Sequence, residues 1–195
     1  HTTNTSSETV STIRFPMHPF LGIMDVTTAS NQRPSSIPPA DYGGNIDLRN
    51  LTVESTLFLP VQIEGAGLYI GNPHFTQGNG EVSLTALEAS LRATLRVQVV
   101  PTAEAKRLFG RTDLPFAISH GTLIPMGFSS TLDDALSQSV EHAIDMITAM
   151  FEMPRQQVYL LLSAAIDFDA TQAVDITKGV HGLIDLSMFQ QLPDY

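Results

Sequence analysis

Residues 128–151, FSSTLDDALSQSVEHAIDMITAMF, carry the change of pattern that decides the fold class. Ser130 or Thr131 is well suited to cap the N-terminus of a helix. Pro154 is typical of the first position of a second helix. Between these points, apolar side chains recur at helical spacing, which predicts an amphipathic helix. Its expected apolar face consists of Leu132, Leu136, Val140, Ala143, Ile144, Ile147 and Phe151.

Upstream of this helix the sequence is typical of β-strands separated by turns. The clearest predicted strand covers residues 91–99, where apolar and polar side chains alternate strictly. Shorter strands are predicted over residues 10–15, 57–63 and 67–71, and strand-like residues return at 180–186. The chain is therefore expected to be an α+β protein, with a mostly β sandwich or barrel-like sheet and a C-terminal helical hairpin.

The expected domain organisation is simple. Residues 1–18 are interpreted as a loose N-terminal segment with the first strand, and residues 19–195 as the main domain. Residues 29–44 are rich in Ser, Pro and Gly, which excludes regular structure there. A long irregular loop of this kind inside a compact domain is usually functional or mobile.

Composition narrows the classes of function. The net charge is −10 with only 10 Lys and Arg, which disfavours nucleic acid as a partner. The chain has no cysteine, so disulfides, thiolate metal ligands and a cysteine nucleophile are excluded. No apolar run is long enough to span a bilayer and no signal peptide is visible, so no membrane association and a cytoplasmic location are expected.

Two segments are rich in glycine, amide and ionisable residues and lack the periodic apolar residues of a core element. They are residues 41–47, DYGGNID, and residues 71–81, GNPHFTQGNGE. Glycine lets the backbone approach a ligand closely, and loops held on a sheet commonly carry binding or catalytic groups. The alternative is a tight loop whose polar side chains bond its own backbone, and this interpretation is favoured for residues 41–47. Residue types alone leave both interpretations open.

The order of several short motifs resembles the acetamidase/formamidase family, with this chain matching the larger, C-terminal part of its members. The most specific match is residues 71–81, which are similar to a glycine-rich loop that carries aspartate and histidine and closes with Gly-Asp-Gly-Glu. The other matching segments are residues 19–24, 43–47, 56–61, 64–66, 132–136, 159–167 and 171–175.

The resemblance implies hydrolysis of small linear or cyclic amides, with release of ammonia and a carboxylic acid, in a homo-oligomer. It also implies a divalent metal, with zinc the first expectation and calcium the alternative. Transferred onto this sequence, His74, Asn72 and Glu81 become candidate metal ligands. Glu81 is in addition the candidate general base, while Asn45 and Asp47 would line the pocket and orient the amide.

The chain departs from the family pattern at three positions. Asn72 and Asn79 stand where the family usually has aspartate, and Tyr42 where it usually has histidine. An amide oxygen can coordinate a cation but carries no charge and transfers no proton. Two alternatives follow: a degenerate member that binds a small ligand or serves as an assembly subunit, or a site completed by an N-terminal segment or a separate chain.

Other polar residues receive structural interpretations. His142 is expected to be solvated on the polar side of the first helix, and His120 to lie in a turn. Asp167, Asp169 and Asp175 form a cluster that is interpreted as a hydrated loop in preference to a cation site.

Overall fold

The structure is a computed structural model that describes residues 13–189. Its strands form two antiparallel sheets, accompanied by three α-helices. The first sheet has the strand order β2-β1-β4-β5 and the second the order β3-β6-β7-β9-β8. The strands are β1 Phe20–Asp25, β2 Gly43–Asn45, β3 Thr56–Phe58, β4 Tyr69–Thr76, β5 Leu87–Glu88, β6 Phe116–Ser119, β7 Thr122–Ser129, β8 Asp167–Gln172 and β9 Lys178–Asp185.

The second sheet has a core on each of its faces. On one face it packs against the helices α1 Thr102–Phe109, α2 Leu132–Phe151 and α3 Arg155–Ala165. On the other face, side chains of β6 and β7 meet the first sheet and the loop that follows β2, around the buried Ile46 and Leu48. The mixed fold class is therefore confirmed, whereas barrel-like closure is not observed within residues 13–189.

Helix α2 begins where the sequence predicts. Thr131 is its N-cap, and the Thr131 hydroxyl accepts a hydrogen bond of 3.1 Å from the backbone amide of Asp134. The predicted apolar face is correct for the second half of the helix, where Ile144 and Ile147 are buried. It is wrong for Leu132 and Leu136, which are each 40% exposed.

His142 contradicts the expectation that it is solvated. Its side chain is fully buried, and its Nδ1 lies 3.1 Å from the carbonyl oxygen of Met126 in β7. The helical face that packs against the sheet is centred nearer Ser139 and His142 than the aliphatic spacing suggested. A hydrogen bond to a strand carbonyl makes burial of this polar ring tolerable.

The predicted strand over residues 91–99 is wrong for the chain as described. Within residues 13–189 these residues belong to no strand, and the last ladder-like hydrogen bond before them joins the Ala89 amide to the Pro73 carbonyl at 3.3 Å. The alternation in sequence is not matched by alternating burial, because Val97 and Val99, which were expected on the packed side, are 67% and 82% exposed. A strand needs a partner ladder, and local sequence does not supply one.

The shorter predicted strands are found with shifted bounds. The strand expected over 57–63 is reduced to β3, and the one expected over 67–71 lies in the first half of β4. Residues 180–186 lie mostly in β9, and residues 29–44 are irregular apart from their last residues. Residues 13–19 belong to no strand, and residues 10–12 of the predicted first strand lie outside the described residues.

Within the described part of the chain, none of the helices combines the length and apolar character needed to cross a bilayer.

A buried histidine on β9 predicts acid sensitivity of the fold. Burial, followed by the nearby charge of Arg49, lowers the pKa of His181 to about 4. The unfolded chain, with a histidine pKa of about 6.5, then binds a proton first as the pH falls. The contribution of His181 to the free energy of unfolding is therefore full above about pH 6.5 and falls by up to about 3 kcal/mol as the pH drops towards 4.

Urea unfolding between pH 7.5 and 4.5 checks this expectation. The difference in free energy of unfolding between the wild type and His181→Gln should fall by this amount over the range, whereas the difference between the wild type and His120→Gln, at the exposed turn between β6 and β7, should stay constant. An equal slope in the wild type and His181→Gln would show that His181 is not responsible.

Candidate functional site

Three predicted site residues converge between the two sheets. Asp47 follows β2, His74 lies in β4, and Glu81 lies in the loop after β4. All three side chains are buried. One ligating atom from each residue lies within 4.8 Å of the others. All three are among the candidate residues of the sequence analysis, in which His74 and Glu81 were candidate metal ligands and Asp47 a pocket residue.

Backbone geometry directs these side chains inwards. Asp47, Asn72 and Glu81 all have positive φ, at 51°, 50° and 42°. Such left-handed conformations cost energy for residues other than glycine, and they concentrate at functional sites. The Glu81 loop is anchored to the second sheet through Gly80, whose amide donates to the carbonyl of Thr171 at 3.1 Å.

Gly22 of β1 leaves the space in which two of these side chains meet. A Cβ atom at Gly22 would lie 2.3 Å from Oδ1 of Asp47 and 2.4 Å from Oδ1 of Asn72. The Gly22 carbonyl also accepts a hydrogen bond of 3.1 Å from the Asp47 amide. Only glycine at this position leaves room for both Oδ1 of Asp47 and Oδ1 of Asn72.

Both ring nitrogens of His74 face an amide oxygen, which can only accept a hydrogen bond. Nδ1 lies 2.8 Å from Oε1 of Gln77, and Nε2 lies 2.7 Å from Oδ1 of Asn72, whose Nδ2 donates to Glu88 at 3.0 Å. Burial lowers the pKa of His74, which favours the neutral ring with a single proton, so one of the two contacts has no donor. With the proton on Nδ1, Nε2 keeps a lone pair that can bind a cation.

Acidic groups crowd the same space. Burial, followed by the neighbouring carboxyls of Asp175 and Glu81, raises the pKa of Asp47 to about 10. Burial and the charge of Asp175 raise the pKa of Glu81 to about 7. Both carboxyl oxygens of Asp47 are buried without a hydrogen-bond partner. Carboxyl oxygens of Asp47 and Glu81 therefore lie close together in a buried space, where two negative charges are unfavourable.

This set of ligating oxygen and nitrogen atoms fits a divalent cation. A cation would satisfy the unpartnered oxygens of Asp47 and the lone pair of His74 at once. Nε2 of His74 lies 3.6 Å from Oδ1 of Asp47. Two ligands at about 2.1 Å from a tetrahedral zinc ion lie roughly 3.4 Å apart, so this pair is suitably spaced.

Two predicted positions lie at the margin of the cluster. Asn45 donates from Nδ2 to Asp175 at 2.9 Å, and its own Oδ1 is buried without a partner. Asn79 instead donates to Asp169 at 2.7 Å on the exposed surface. Asn79, which replaces the usual aspartate of the family, therefore lies outside the cluster of Asp47, His74 and Glu81. Asn72, which also replaces an aspartate, lies in contact with it.

Sequence reasoning missed four contributors: Gly22, Gln77, Glu88 and Asp175. Asp175 was assigned to a hydrated loop, but it is buried and bonded to Asn45. Gly22, Gln77 and Asp175 each lie in a segment that carried the family resemblance, which was the available signal. Their roles depend on contacts between distant segments, which spacing along the chain does not reveal.

A pocket of ≈ 480 Å³ reaches the cluster from the surface at Glu81. Gln77 and Glu81 form its inner wall, and the side chain of Arg49 supplies a positive charge. The remaining lining residues are Phe15, Pro16, His18, Thr76, Gly78, Asn79, Val82, Ser83, Thr85, Ala86 and Leu87. Of the three clustered residues, Glu81 is the one that lines this pocket.

Comparison with known proteins gives a consistent result. The model of the Acetamidase/Formamidase family matches residues 28–191, a range that contains Asp47, His74 and Glu81. The chain belongs to the acetamidase/formamidase family. Its segments are similar to a formamidase of Methylophilus methylotrophus, 46% identical over 48 residues, and to an acetamidase of Mycolicibacterium smegmatis, 44% identical over 54 residues.

Solved structures extend the likeness to nearly the whole chain. An acetamidase of Bacillus halodurans, 27% identical, superposes with a TM-score of 0.81 over 93% of this chain and 59% of its own. An acetamidase of Yersinia enterocolitica, 23% identical, shares the fold with a TM-score of 0.75 over 90% of this chain and 51% of its own. The matched segments span 25% and 28% of this chain and only 12% and 13% of the length of the formamidase and the M. smegmatis acetamidase.

Proposed function

We propose that this protein hydrolyses small linear amides to ammonia and a carboxylic acid, and opens small cyclic amides to amino acids, with the help of a divalent metal. The observation that carries the proposal is the buried cluster of Asp47, His74 and Glu81, in which both oxygens of Asp47 lack a hydrogen-bond partner, in a member of the acetamidase/formamidase family. Membership alone would be weak support for a reaction, because function depends on the site. Here the side chains needed for the chemistry stand together.

Glu81 is the proposed acid–base group. Its pKa of about 7 suits proton transfer near neutral pH, and it borders the pocket that a substrate would enter. The Glu81 carboxylate takes a proton from water as the water oxygen bonds to the amide carbon. It then gives that proton to the nitrogen as the C–N bond breaks, which yields the carboxylic acid and the free amine.

His74, Asp47 and the oxygen of Asn72 are the residues that would hold the cation. A divalent metal supplies polarisation of the amide carbonyl towards attack. One nitrogen and several oxygen ligands favour zinc, while an all-oxygen set would favour calcium. The Asn72 departure keeps an oxygen in place and removes one negative charge, so it weakens a metal site without removing a ligand.

Ammonia release from formamide and acetamide, and ring opening of a small lactam, test the proposal. Protein stripped of metal should be inactive, and added zinc should restore turnover. Folded protein that binds zinc but turns over none of these amides would instead support the degenerate, ligand-binding member of the family.

Gln77 is expected to control the metal site through His74. Gln77→Leu removes the oxygen 2.8 Å from Nδ1 of His74 and the amide group that donates a hydrogen bond of 2.7 Å to the Asp47 carbonyl. Loss of such a supporting contact typically reduces metal affinity or activity by about 10–100-fold. Zinc titration and the ring nitrogen shifts of His74 in NMR spectra measure this effect.

Two variants serve as controls for this expectation. Gln77→Glu retains an acceptor for Nδ1 of His74 but loses the donor to the Asp47 carbonyl, so it separates the two contacts. Gln157→Leu, on the exposed side of α3, should change nothing. An unaltered zinc affinity in Gln77→Leu would remove Gln77 from this positioning role.

A further inference from the structure

Gln172, the last residue of β8, is fully buried and is hydrogen-bonded through both the oxygen and the nitrogen of its side chain. Its Oε1 accepts from the backbone amides of Val174 at 2.9 Å and Asp175 at 3.0 Å. Its Nε2 donates to the carbonyl of Thr177 at 2.7 Å. Because a buried polar group is costly to leave unpaired, these bonds hold residues 173–177 in a turn around the Gln172 side chain.

This turn carries Asp175 to the candidate site. The Asp175 side chain is buried, and its Oδ2 accepts a hydrogen bond of 2.9 Å from Nδ2 of Asn45. Burial raises the pKa of Glu81, and the charge of Asp175 raises it further, because the two carboxyls face the same space. The position of Asp175 beside Glu81 therefore depends on the turn that Gln172 holds.

The backbone on either side of Gln172 also holds the loop that carries Glu81. The Thr171 carbonyl accepts a hydrogen bond of 3.1 Å from the Gly80 amide, and the Ala173 amide donates one of 3.0 Å to the Gly80 carbonyl. The Gly80 carbonyl belongs to the peptide group that joins Gly80 to Glu81. A hydrogen bond to its oxygen fixes the plane of that group, and so limits the directions in which the Glu81 side chain can point.

The Ala173 amide connects the two loops. Ala173 lies between Gln172 and the two amides that bond the Gln172 side chain, so the turn sets the direction in which the Ala173 amide points. Loss of the side-chain bonds would free the turn and, with it, the bond from Ala173 to Gly80. Hydrogen bonds in a buried network support one another, so one side chain can affect a contact that it does not itself make.

We propose that Gln172 is a positioning residue for the proposed amide hydrolysis: it holds the carboxyls of Glu81 and Asp175 in the arrangement that the reaction needs. Its effect on turnover depends on the proposed function, whereas its effect on the two loops does not. Gln172 makes no contact with the substrate in this proposal and acts through the backbone that carries the two carboxyls.

The residues that would hold the cation belong to other segments. His74 and Asn72 lie in β4, and Asp47 lies in the loop after β2. Gln172 should therefore affect turnover more than it affects zinc affinity. In this it should differ from Gln77, which contacts His74 directly.

Gln172→Met tests the effect on turnover, since methionine has a similar length but none of the hydrogen-bonding groups. At saturating zinc, we expect kcat for acetamide to fall by about 10–100-fold, as for loss of other supporting contacts, with KM little changed. Gln172→Glu is the milder change, because it keeps the accepting oxygen and loses the amide donor to Thr177, and it should lower kcat by less.

Ser139→Ala is the matched control. It removes another buried hydrogen bond, of 3.1 Å from the Ser139 hydroxyl to the Pro125 carbonyl, where α2 packs on β7 away from the site. Its kcat for each folded molecule should equal that of the wild type. A role of Gln172 in stability alone would give the same result for Gln172→Met as for this control.

Amide hydrogen exchange tests the link between the loops without reference to catalysis. The Gly80 amide bonds to a backbone carbonyl of β8, not to the Gln172 side chain. In Gln172→Met, we nevertheless expect the amides of Gly80 and Ala173 to exchange at least about tenfold faster, because the local opening that exposes them becomes easier. The amide of Leu123, in the central strand β7, is the reference for global unfolding and should change less.

Either of two results overturns the proposal. One is a Gly80 amide that exchanges in Gln172→Met as it does in the wild type, since the Glu81 loop would then not depend on Gln172. The other is an unchanged kcat in Gln172→Met at saturating zinc, since the reaction would then not need this arrangement. A wild type that hydrolyses no amide would overturn the proposed function instead, and exchange at Gly80 would still decide whether Gln172 links the two loops.

Discussion

Glu81→Gln is expected to abolish amide hydrolysis while the fold is preserved. The glutamine side chain has the same shape and can keep the left-handed backbone at φ 42°, but it cannot accept and return a proton. Loss of a general acid–base group costs about 10²–10⁴-fold in turnover, and loss of a metal contact adds to that loss. The measurement is ammonia release from acetamide with saturating zinc, together with circular dichroism of the variant.

A matched control separates chemistry from charge. Glu64→Gln removes the same charge from an exposed loop position and should retain wild-type turnover. If Glu81→Gln also retained wild-type turnover, Glu81 would have no catalytic role. If it lost zinc binding entirely, Glu81 would act chiefly as a metal ligand, and the proton carrier would be sought among the other buried carboxyls, beginning with Asp175.

The predictable parts of the fold are those that local sequence controls. The start of α2 at Thr131 follows from a hydroxyl that caps backbone amides, and the helical spacing that follows is itself a local property. The strand over residues 91–99 could not be settled in the same way. The alternation of apolar and polar residues predicts which face of a strand would be buried. Whether the strand forms depends on a partner segment elsewhere, which the local pattern does not identify.

In the candidate site, too, the residues within short motifs could be predicted, and those that depend on distant contacts could not. His74 and Glu81 were identifiable because they share one short motif with the family, and Asp47 because it ends another. Asp175 was not, because its carboxyl reaches Asn45 across 130 positions of the chain. The burial of His142 was missed for a related reason: the carbonyl of Met126 that it bonds belongs to a different element.

Asp47→Asn is expected to abolish stabilisation by zinc. Asparagine tolerates a left-handed backbone at least as well as aspartate, so the φ of 51° is retained. The substitution removes a carboxylate whose two oxygens are buried without a hydrogen-bond partner. Without metal, we expect the variant to be at least as stable as the wild type, because a neutral amide replaces a carboxyl crowded by Asp175 and Glu81.

Thermal unfolding with and without zinc measures the difference. Zinc at about 100 times its Kd adds roughly 2.7 kcal/mol to the wild type, which for a chain of this size raises Tm by roughly 5–10 °C. Asp47→Asn should show almost none of this rise, while Asp41→Asn, at an exposed aspartate nearby, should show all of it. A full rise in Asp47→Asn would place the metal elsewhere. Together with unchanged unfolding in the absence of zinc, it would mean that the unpartnered oxygens of Asp47 serve neither metal binding nor stability.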